Sequence, residues 1–177
     1  MQIAHSKLSR AAIAVAMTLL STGASAQTLD DMPPLEGPVI LTVSGMIAES
    51  NMDDGSFAFD LEMLRHIGGD EIETDTIWTP DTVTYTGVRL DRLLNLLGAE
   101  GENLDATAIN DYSVEIPTSD AVEGGPIIAY EADGKVMSRR DKGPLWVIYP
   151  YASTPDYRTE VIYSRSIWQL DRITVKE

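Results

Sequence analysis

Apolar positions recur along the chain in short blocks, each long enough for one small element. Residues 39–43 form an apolar, mostly β-branched run that predicts a strand. Between Asp60 and a Gly-Gly pair, the apolar residues of 61–67 share one helical face, which predicts a short helix with Asp60 as its N-cap. A leucine stripe over 90–97 predicts a second helix that ends at Gly98.

The remaining blocks have the spacing of strands. From Glu71 to Trp78 the residues alternate, so that Ile72 and Trp78 face one side and the acidic residues face the other. Asp133-Gly134 is typical of a tight hairpin turn. Further short strands are predicted at residues 107–109, 113–116, 127–131, 136–137, 145–149, 161–163 and 173–175. Short mixed strands with a few short helices indicate an α+β fold.

The first 26 residues have the pattern of a secretory signal peptide. Lys7 and Arg10 precede the apolar stretch from Ala11 to Leu20, and Ala24-Ser25-Ala26 forms a small-residue cleavage site. Such an apolar stretch is too short to span a bilayer. We therefore predict residues 1–26 to be a cleaved signal peptide and the protein to be periplasmic.

The predicted mature chain divides into a leader and one domain. Residues 27–38 contain three prolines and no periodicity, which predicts a flexible leader, and residues 39–177 are predicted to form a single domain. Loss of Lys7 and Arg10 with the signal peptide changes the formal charge from −15 to −17. This charge disfavours binding to nucleic acid or directly to membranes, and it favours a protein partner with a basic face.

The side chains also exclude several kinds of catalysis. The sequence contains no Cys, and His66 is the one His outside the predicted signal peptide. Thiol catalysis, His-based triads and zinc sites are therefore excluded as main interpretations. His66 lies near the end of a predicted helix, where a cation has a structural role. Residues 51–55 resemble a calcium loop but lack the ligand spacing, so a turn is the better interpretation.

Four segments in a fixed order carry a resemblance to a known family. They are residues 85–94, with Gly-Val and paired leucines; 110–117, with Asp-Tyr and Ile-Pro; 129–137, with Ala-Tyr-Glu; and 138–150, with Gly-Pro-Leu. Together they resemble the molybdopterin-binding domain of the sulfite oxidase family over roughly residues 39–175. The resemblance implies a sulfite oxidase-like molybdopterin-binding fold, with mixed sheets and a few short helices.

The sequence departs from that family where the enzymes hold their metal. Family members bind molybdenum through a Cys on the strand before the first of these segments, and the matching stretch here, Glu73 to Trp78, has none. Neither Thr nor Trp replaces a soft thiolate ligand. Trp146 also stands where the enzymes tend to carry Arg. We expect the scaffold to be kept and no molybdenum to be bound.

A pterin can be held without a metal ligand from the protein. Its guanine-like edge pairs with a carboxylate, its acceptors with Arg or Lys, and its face with an aromatic ring. The resemblance gathers ten candidate residues around one pocket: Trp78, Asp111, Tyr112, Arg140, Asp141, Lys142, Tyr151, Ser164, Arg165 and Trp168. Two alternatives stay open, namely that Trp168 packs in the core and that Arg140 pairs with Asp141.

The resemblance extends to function through relatives that lack the Cys. Such proteins bind pterins in the periplasm, and some act with inner-membrane sensor enzymes that make or break cyclic-di-GMP. The resemblance therefore implies a ligand-binding regulator whose partner is the periplasmic domain of such an enzyme. One alternative is a molybdopterin-dependent oxidoreductase component with non-Cys metal ligation. Another is a partner-binding domain with an empty pocket.

Overall fold

A computed structural model describes residues 29–177. The three α-helices are α1 (Leu61–Ile67), α2 (Leu90–Leu96) and α3 (Glu160–Arg165). The first five strands are β1 (Leu41–Gly45), β2 (Phe57–Phe59), β3 (Asp70–Thr74), β4 (Val83–Arg89) and β5 (Asn103–Ala108). The others are β6 (Ser113–Pro117), β7 (Ile127–Ala132), β8 (Lys135–Val136), β9 (Leu145–Ile148) and β10 (Trp168–Lys176). Short 3-10 helices lie at Leu29–Asp31, Thr118–Asp120, Arg139–Asp141 and Pro155–Tyr157.

The ten strands in the described part of the chain form one mixed sheet, and β10 joins its parts. The main path runs β2-β1-β10-β9-β7-β4-β3, while β5 and β6 branch from β10 and β8 pairs with β7. Strand β10 is parallel to β1 and antiparallel to β5 and β9. The ladder between β10 and β5 shifts register between Leu170 and Arg172, as in a β-bulge.

The two predicted helices are confirmed. In α1 the carboxylate of Asp60 accepts a hydrogen bond from the backbone N–H of Met63 at 2.9 Å, which is N-cap geometry. Helix α2 is followed by Gly98, whose φ of +58° is the left-handed conformation expected after a helix end.

The strand predicted at residues 161–163 is wrong, because these residues lie in α3. Thr159 caps this helix by accepting a hydrogen bond from the N–H of Ile162. The β-branched pair Val161-Ile162 suggested a strand, but an N-cap Thr followed by Glu160 favours a helix start.

The strand predictions are confirmed in the central sheet and incomplete elsewhere. Strand β3 alternates as predicted, with Glu71 and Glu73 exposed and Thr74 buried, but it ends at Thr74 instead of continuing to Trp78. The turn at Asp133-Gly134 joins β7 to β8, and both residues have positive φ. Sequence patterns did not predict β2 or β4.

The core lies between the sheet and the helices, and aromatic rings fill much of it. Trp146, Tyr149 and Tyr151 are almost completely buried. Leu29 and Met32, in the described part of the predicted leader, pack against this core. Flexibility of the leader stays a prediction, and the predicted signal peptide lies outside the described residues. None of the described helices has the length and apolarity needed to cross a membrane.

Candidate functional site

A cavity of about 330 Å³ opens beside the start of β10. Its size falls at the lower end of the range for small-molecule sites, about 300–1,000 Å³. Four stretches of chain line it: the turn after β3, the β5–β6 turn, the end of α3, and the start of β10. The lining residues are Trp78, Ala108, Asn110, Tyr112, Tyr163, Ser164, Ser166, Ile167, Trp168 and Gln169.

Aromatic rings form one side of the cavity. Trp78 is in edge contact with Trp168, Tyr163 and the buried Trp146, each at a centroid distance of 5.7 Å. Trp168 is 40% exposed and Tyr112 is 59% exposed, so both residues are partly accessible to solvent at the opening. Exposed aromatic faces beside a cavity are suited to stacking on a flat ring ligand.

Local hydrogen bonds hold Trp78 in place. The backbone N–H of Trp78 donates to the side chain of Thr76 at 3.1 Å. The Thr76 and Thr79 hydroxyls lie 2.9 Å apart, and Thr74 accepts from the N–H of Ala152 at 3.0 Å. The polar side chains of this segment therefore serve to fix the turn that carries the ring.

Irregular backbone at the start of β10 brings Gln169 to the cavity. Its φ is +55°, an uncommon conformation for a residue with a Cβ. Its N–H donates to the carbonyl of Lys142, its carbonyl accepts from the N–H of Ile109, and its side-chain amide donates to the carbonyl of Arg139. Gln169 thus links the β5–β6 turn and the 139–141 segment to the cavity wall.

The other polar wall groups are neutral. Asn110 accepts a hydrogen bond from the N–H of Tyr112 through Oδ1, at 3.2 Å. The Ser164 hydroxyl donates to the carbonyl of Val161. The Ser166 hydroxyl donates to the carbonyl of Ile162 and accepts from Tyr151. Amides and hydroxyls of this kind can recognise a heterocycle edge but cannot neutralise a charged ligand.

The structure brings four of the ten predicted site residues into the cavity wall: Trp78, Tyr112, Ser164 and Trp168. Asp111 lies next to Tyr112 in the β5–β6 turn, with φ of +66°. Its carboxylate accepts from Arg172 at 2.6 Å and remains largely exposed. Asp111 is therefore a carboxylate near the opening, already paired with a cation.

The predicted charged residues 140–142 lie outside the wall. Lys142 places its ammonium 5.3 Å from the ring centroid of Trp146, a cation–π distance. Asp141 is exposed and accepts from the Ser138 hydroxyl at 2.6 Å. Arg140 is also exposed, and no ion pair joins it to Asp141 among the described residues.

Tyr151 and Arg165 are held within the fold. Tyr151 is buried and its hydroxyl donates to Ser166, while burial raises its pKa to about 12. Arg165 donates to Asp120 at 2.9 Å, and Asp120 also accepts from the hydroxyl of Tyr149 at 2.7 Å. Burial, reinforced by the bond to Asp120, raises the pKa of Tyr149.

Two buried oxygen atoms have no hydrogen-bond partner among the described residues. The first is the hydroxyl of Tyr85, whose pKa is raised by burial. The second is Oδ1 of Asp171, which lies 3.4 Å from Nε of Arg172. Burial raises the pKa of Asp171, with a smaller opposing effect of Arg172.

Several wall residues were not identified from the sequence. Asn110 was within reach, because it directly precedes the Asp-Tyr pair of the resemblance. Tyr163 was assigned to a strand, and the Thr159 cap was the signal that could have placed it on a helix. Gln169 had no sequence signal, since its position depends on a positive φ and a register shift.

Comparison with known proteins finds a family model that matches part of this chain. Residues 69–154 match the family model described as "Oxidoreductase molybdopterin binding domain". The predicted resemblance to the sulfite oxidase-type molybdopterin-binding domain is therefore confirmed. Membership of a Cys-less branch stays a prediction. No curated protein matches the sequence.

A solved structure shows the same fold. The sulfane dehydrogenase SoxCD from Paracoccus pantotrophus is similar with a TM-score of 0.53 and 17% sequence identity. The match covers 77% of this chain and 37% of the SoxCD chain. The predicted sulfite oxidase-like α+β fold is therefore confirmed. At this identity the likeness concerns the fold alone.

The donor set around the cavity fits the organic part of a molybdopterin better than its metal. Stacking rings and neutral amides suit a pterin ring. The sequence contains no Cys to supply the family's thiolate ligand. Among residues 29–177, no group of three or more His, Asp or Glu residues is placed to hold a metal ion.

Proposed function

We propose that the protein is a periplasmic pterin-binding protein that senses or presents a pterin to a membrane-bound signalling partner without metal catalysis. The aromatic cavity between Trp78, Tyr112 and Trp168 is the observation that carries this proposal. Residues 69–154 match a family model described as a molybdopterin binding domain, and the volume of the cavity suits a single flat ring system.

Binding would combine stacking with recognition of the ring edge. Trp168 and Tyr112 are partly exposed at the opening, where their rings can stack against a pterin. The side-chain amides of Asn110 and Gln169 offer both donors and acceptors to the heterocycle edge. The Asp111 carboxylate, near the opening, is the candidate for the guanine-like edge once Arg172 shares it.

Direct titration tests the proposal. Calorimetry of the purified protein with oxidised and reduced pterins should give saturable heat, and tryptophan fluorescence should be quenched because two Trp side chains line the cavity. A pterin released on denaturation of protein from its native compartment would support the same conclusion. If no pterin in the panel binds and no fluorophore is released, the proposal is wrong.

A second candidate function follows from the comparisons. The matching family is described as an oxidoreductase domain, and the similar SoxCD structure is a sulfane dehydrogenase. In this alternative the protein is a molybdopterin-dependent oxidoreductase component whose metal has non-Cys ligands. Elemental analysis separates the two: stoichiometric molybdenum or tungsten favours the oxidoreductase, and a pterin without metal favours the binding protein.

The signalling partner in this proposal is inferred from the family resemblance. A sensor enzyme of cyclic-di-GMP metabolism with a periplasmic domain is the expected partner, and the formal charge of −17 expected after loss of residues 1–26 favours a basic face on it. Affinity purification from solubilised inner membranes, with pterin present, should recover such an enzyme at low salt and less of it at high salt. Recovery of no membrane sensor in either condition would contradict this part.

A further inference from the structure

Strand β3 forms one edge of the sheet. It pairs with β4 along its whole length, from Asp70 opposite Gly87 to Thr74 opposite Val83. In the described part of the chain, no other strand pairs with it. Alternate residues of an edge strand direct their backbone N–H and C=O groups away from the sheet, where another strand can bind them.

A groove of about 580 Å³ involves this edge strand. Residues 70–73 line it together with the Gly124-Gly125 turn and the segment at residues 150–153. Gly124 has φ of +72°, and a Cβ there would meet open space. Arg89 of β4 and Ile127 of β7 also line it, so the groove extends across the sheet beside β3 and along a turn that carries no side chains.

The charges in this groove are mainly negative and only partly neutralised. Glu71 and Glu73 are exposed, and neither forms an ion pair within the described residues. Glu123 is 90% exposed and lies 3.7 Å from Arg89, which is already paired with Asp91. Because side chains two positions apart share a face of a strand, Glu71 and Glu73 present two carboxylates in register.

The other strand edges lack this combination. Strand β2 has three residues, all buried, and β8 has only two residues. Strand β6 is also an edge and carries the exposed Glu115, but its residues Ser113–Glu115 line none of the larger cavities. Among the described strands, β3 alone combines a free edge of five residues with repeated negative charge.

We propose that β3 accepts an extended, basic segment of a partner protein as an additional strand. Backbone hydrogen bonds to the free edge would supply affinity, and Lys or Arg side chains at alternate positions would face Glu71 and Glu73. This inference rests on the partner in the proposed function and names how that partner binds. The groove shares no lining residue with the pterin cavity.

Designed peptides test the proposal on the purified protein. The probe is a short capped peptide with Arg at alternate positions and Thr or Val between them. One control replaces each Arg by Glu, and a second keeps the Arg residues but N-methylates alternate backbone nitrogens. We expect the basic peptide to bind and to slow hydrogen exchange of alternate amides within residues 70–74. Both control peptides should bind at least about tenfold more weakly.

Charge reversal provides the matched protein variants. Glu71→Lys combined with Glu73→Lys should lower the affinity for the basic peptide about tenfold. Glu115→Lys, on the edge strand β6, should leave that affinity unchanged. Equal binding of the N-methylated peptide, or exchange protection elsewhere, would overturn the proposal. Absence of peptide binding would also overturn it. Pterin titration of the same samples distinguishes the two proposals. Peptide binding without pterin binding would refute the proposed pterin ligand but not the proposed strand addition to β3.

Discussion

Trp78 and Trp168 meet edge to face at the cavity, with ring centroids 5.7 Å apart and planes inclined by 72°. Trp78 belongs to the turn after β3 and Trp168 is the first residue of β10, so the contact joins segments ninety positions apart in sequence. Trp78 also touches Tyr163 and Trp146, which restricts its ring. The more exposed Trp168 is therefore the better candidate for a stacking surface.

Replacing this stacking surface should weaken binding without unfolding the protein. Trp168→Ala removes an aromatic face that we expect to contribute on the order of 1–2 kcal/mol, so pterin affinity should fall about five- to thirtyfold by calorimetry. Met52→Ala is the control, because Met52 has similar exposure and lies outside the cavity wall. Unchanged affinity in Trp168→Ala would place the ligand elsewhere.

Arg165 was predicted to bind ligand, and its observed contacts predict a structural effect instead. Arg165→Met leaves the mostly buried Asp120 without its cation, which should lower the free energy of unfolding by about 1–3 kcal/mol in urea titration. Pterin affinity should change less than about twofold, well under the tenfold that 1.4 kcal/mol would produce. Lys176→Met, which breaks a single and more exposed pair with Asp105, should cost less than about 1 kcal/mol. A large loss of affinity with normal stability would restore Arg165 as a ligand residue.

Asp60 ties the start of the domain to α1. It is buried, and it accepts from the N–H groups of Met63, Gly37 and Glu36. Burial alone would raise its pKa, but these hydrogen bonds together lower it. Asp60→Ala should therefore reduce the free energy of unfolding by about 1–3 kcal/mol at pH 7.

The pH dependence of that loss follows from the lowered pKa. The stabilisation by Asp60 is present above the ordinary Asp value, about 3.9, and is lost as pH falls through the lower pKa of the folded state. The difference between the parent protein and Asp60→Ala should thus shrink in strong acid. A difference that stays constant between pH 7 and strong acid would contradict the charge-based explanation.

The contribution of Asp171 to stability should depend on pH in the opposite direction to that of Asp60. Burial raises its pKa, so the folded state holds the proton more tightly than the unfolded state. Its contribution to stability is complete below about pH 3.9 and is lost as pH rises through the raised value. Asp171→Asn should therefore raise the melting temperature at pH 7 and have little effect near pH 3.5. The control Asp156→Asn, at an exposed position, should leave the melting temperature unchanged at both pH values. A lower melting temperature at pH 7 would refute this expectation.

The elements predicted correctly are those whose pattern is local. Asp60 and the apolar face of 61–67 define α1 within eight residues, and Asp133-Gly134 defines the β7–β8 turn by itself. Strand β2, three buried residues, has no alternation to detect, because apolar residues cover both of its faces. Strand β4 was interpreted only as the segment leading into α2.

The cavity could be predicted only in part, for a physical reason. Trp78 and Tyr112 carry a sequence signal, because each is an aromatic residue beside a turn. The roles of Tyr151 and Arg165 depend on long-range partners, Ser166 and Asp120, that no local pattern reveals. A charged or aromatic residue in a loop looks the same in sequence whether its polar end faces a ligand or a neighbouring strand.

The position of β10 in the sheet has a consequence for folding during synthesis. Without residues 168–176, the β1–β2 pair, the β5–β6 pair and the group of β9, β7, β4 and β3 share no ladder. The domain therefore cannot close while a ribosome is still making the earlier strands. Its nascent chain stays open until translation has passed Lys176. The cavity wall at Trp168 and Gln169 would then form in the same step that closes the sheet.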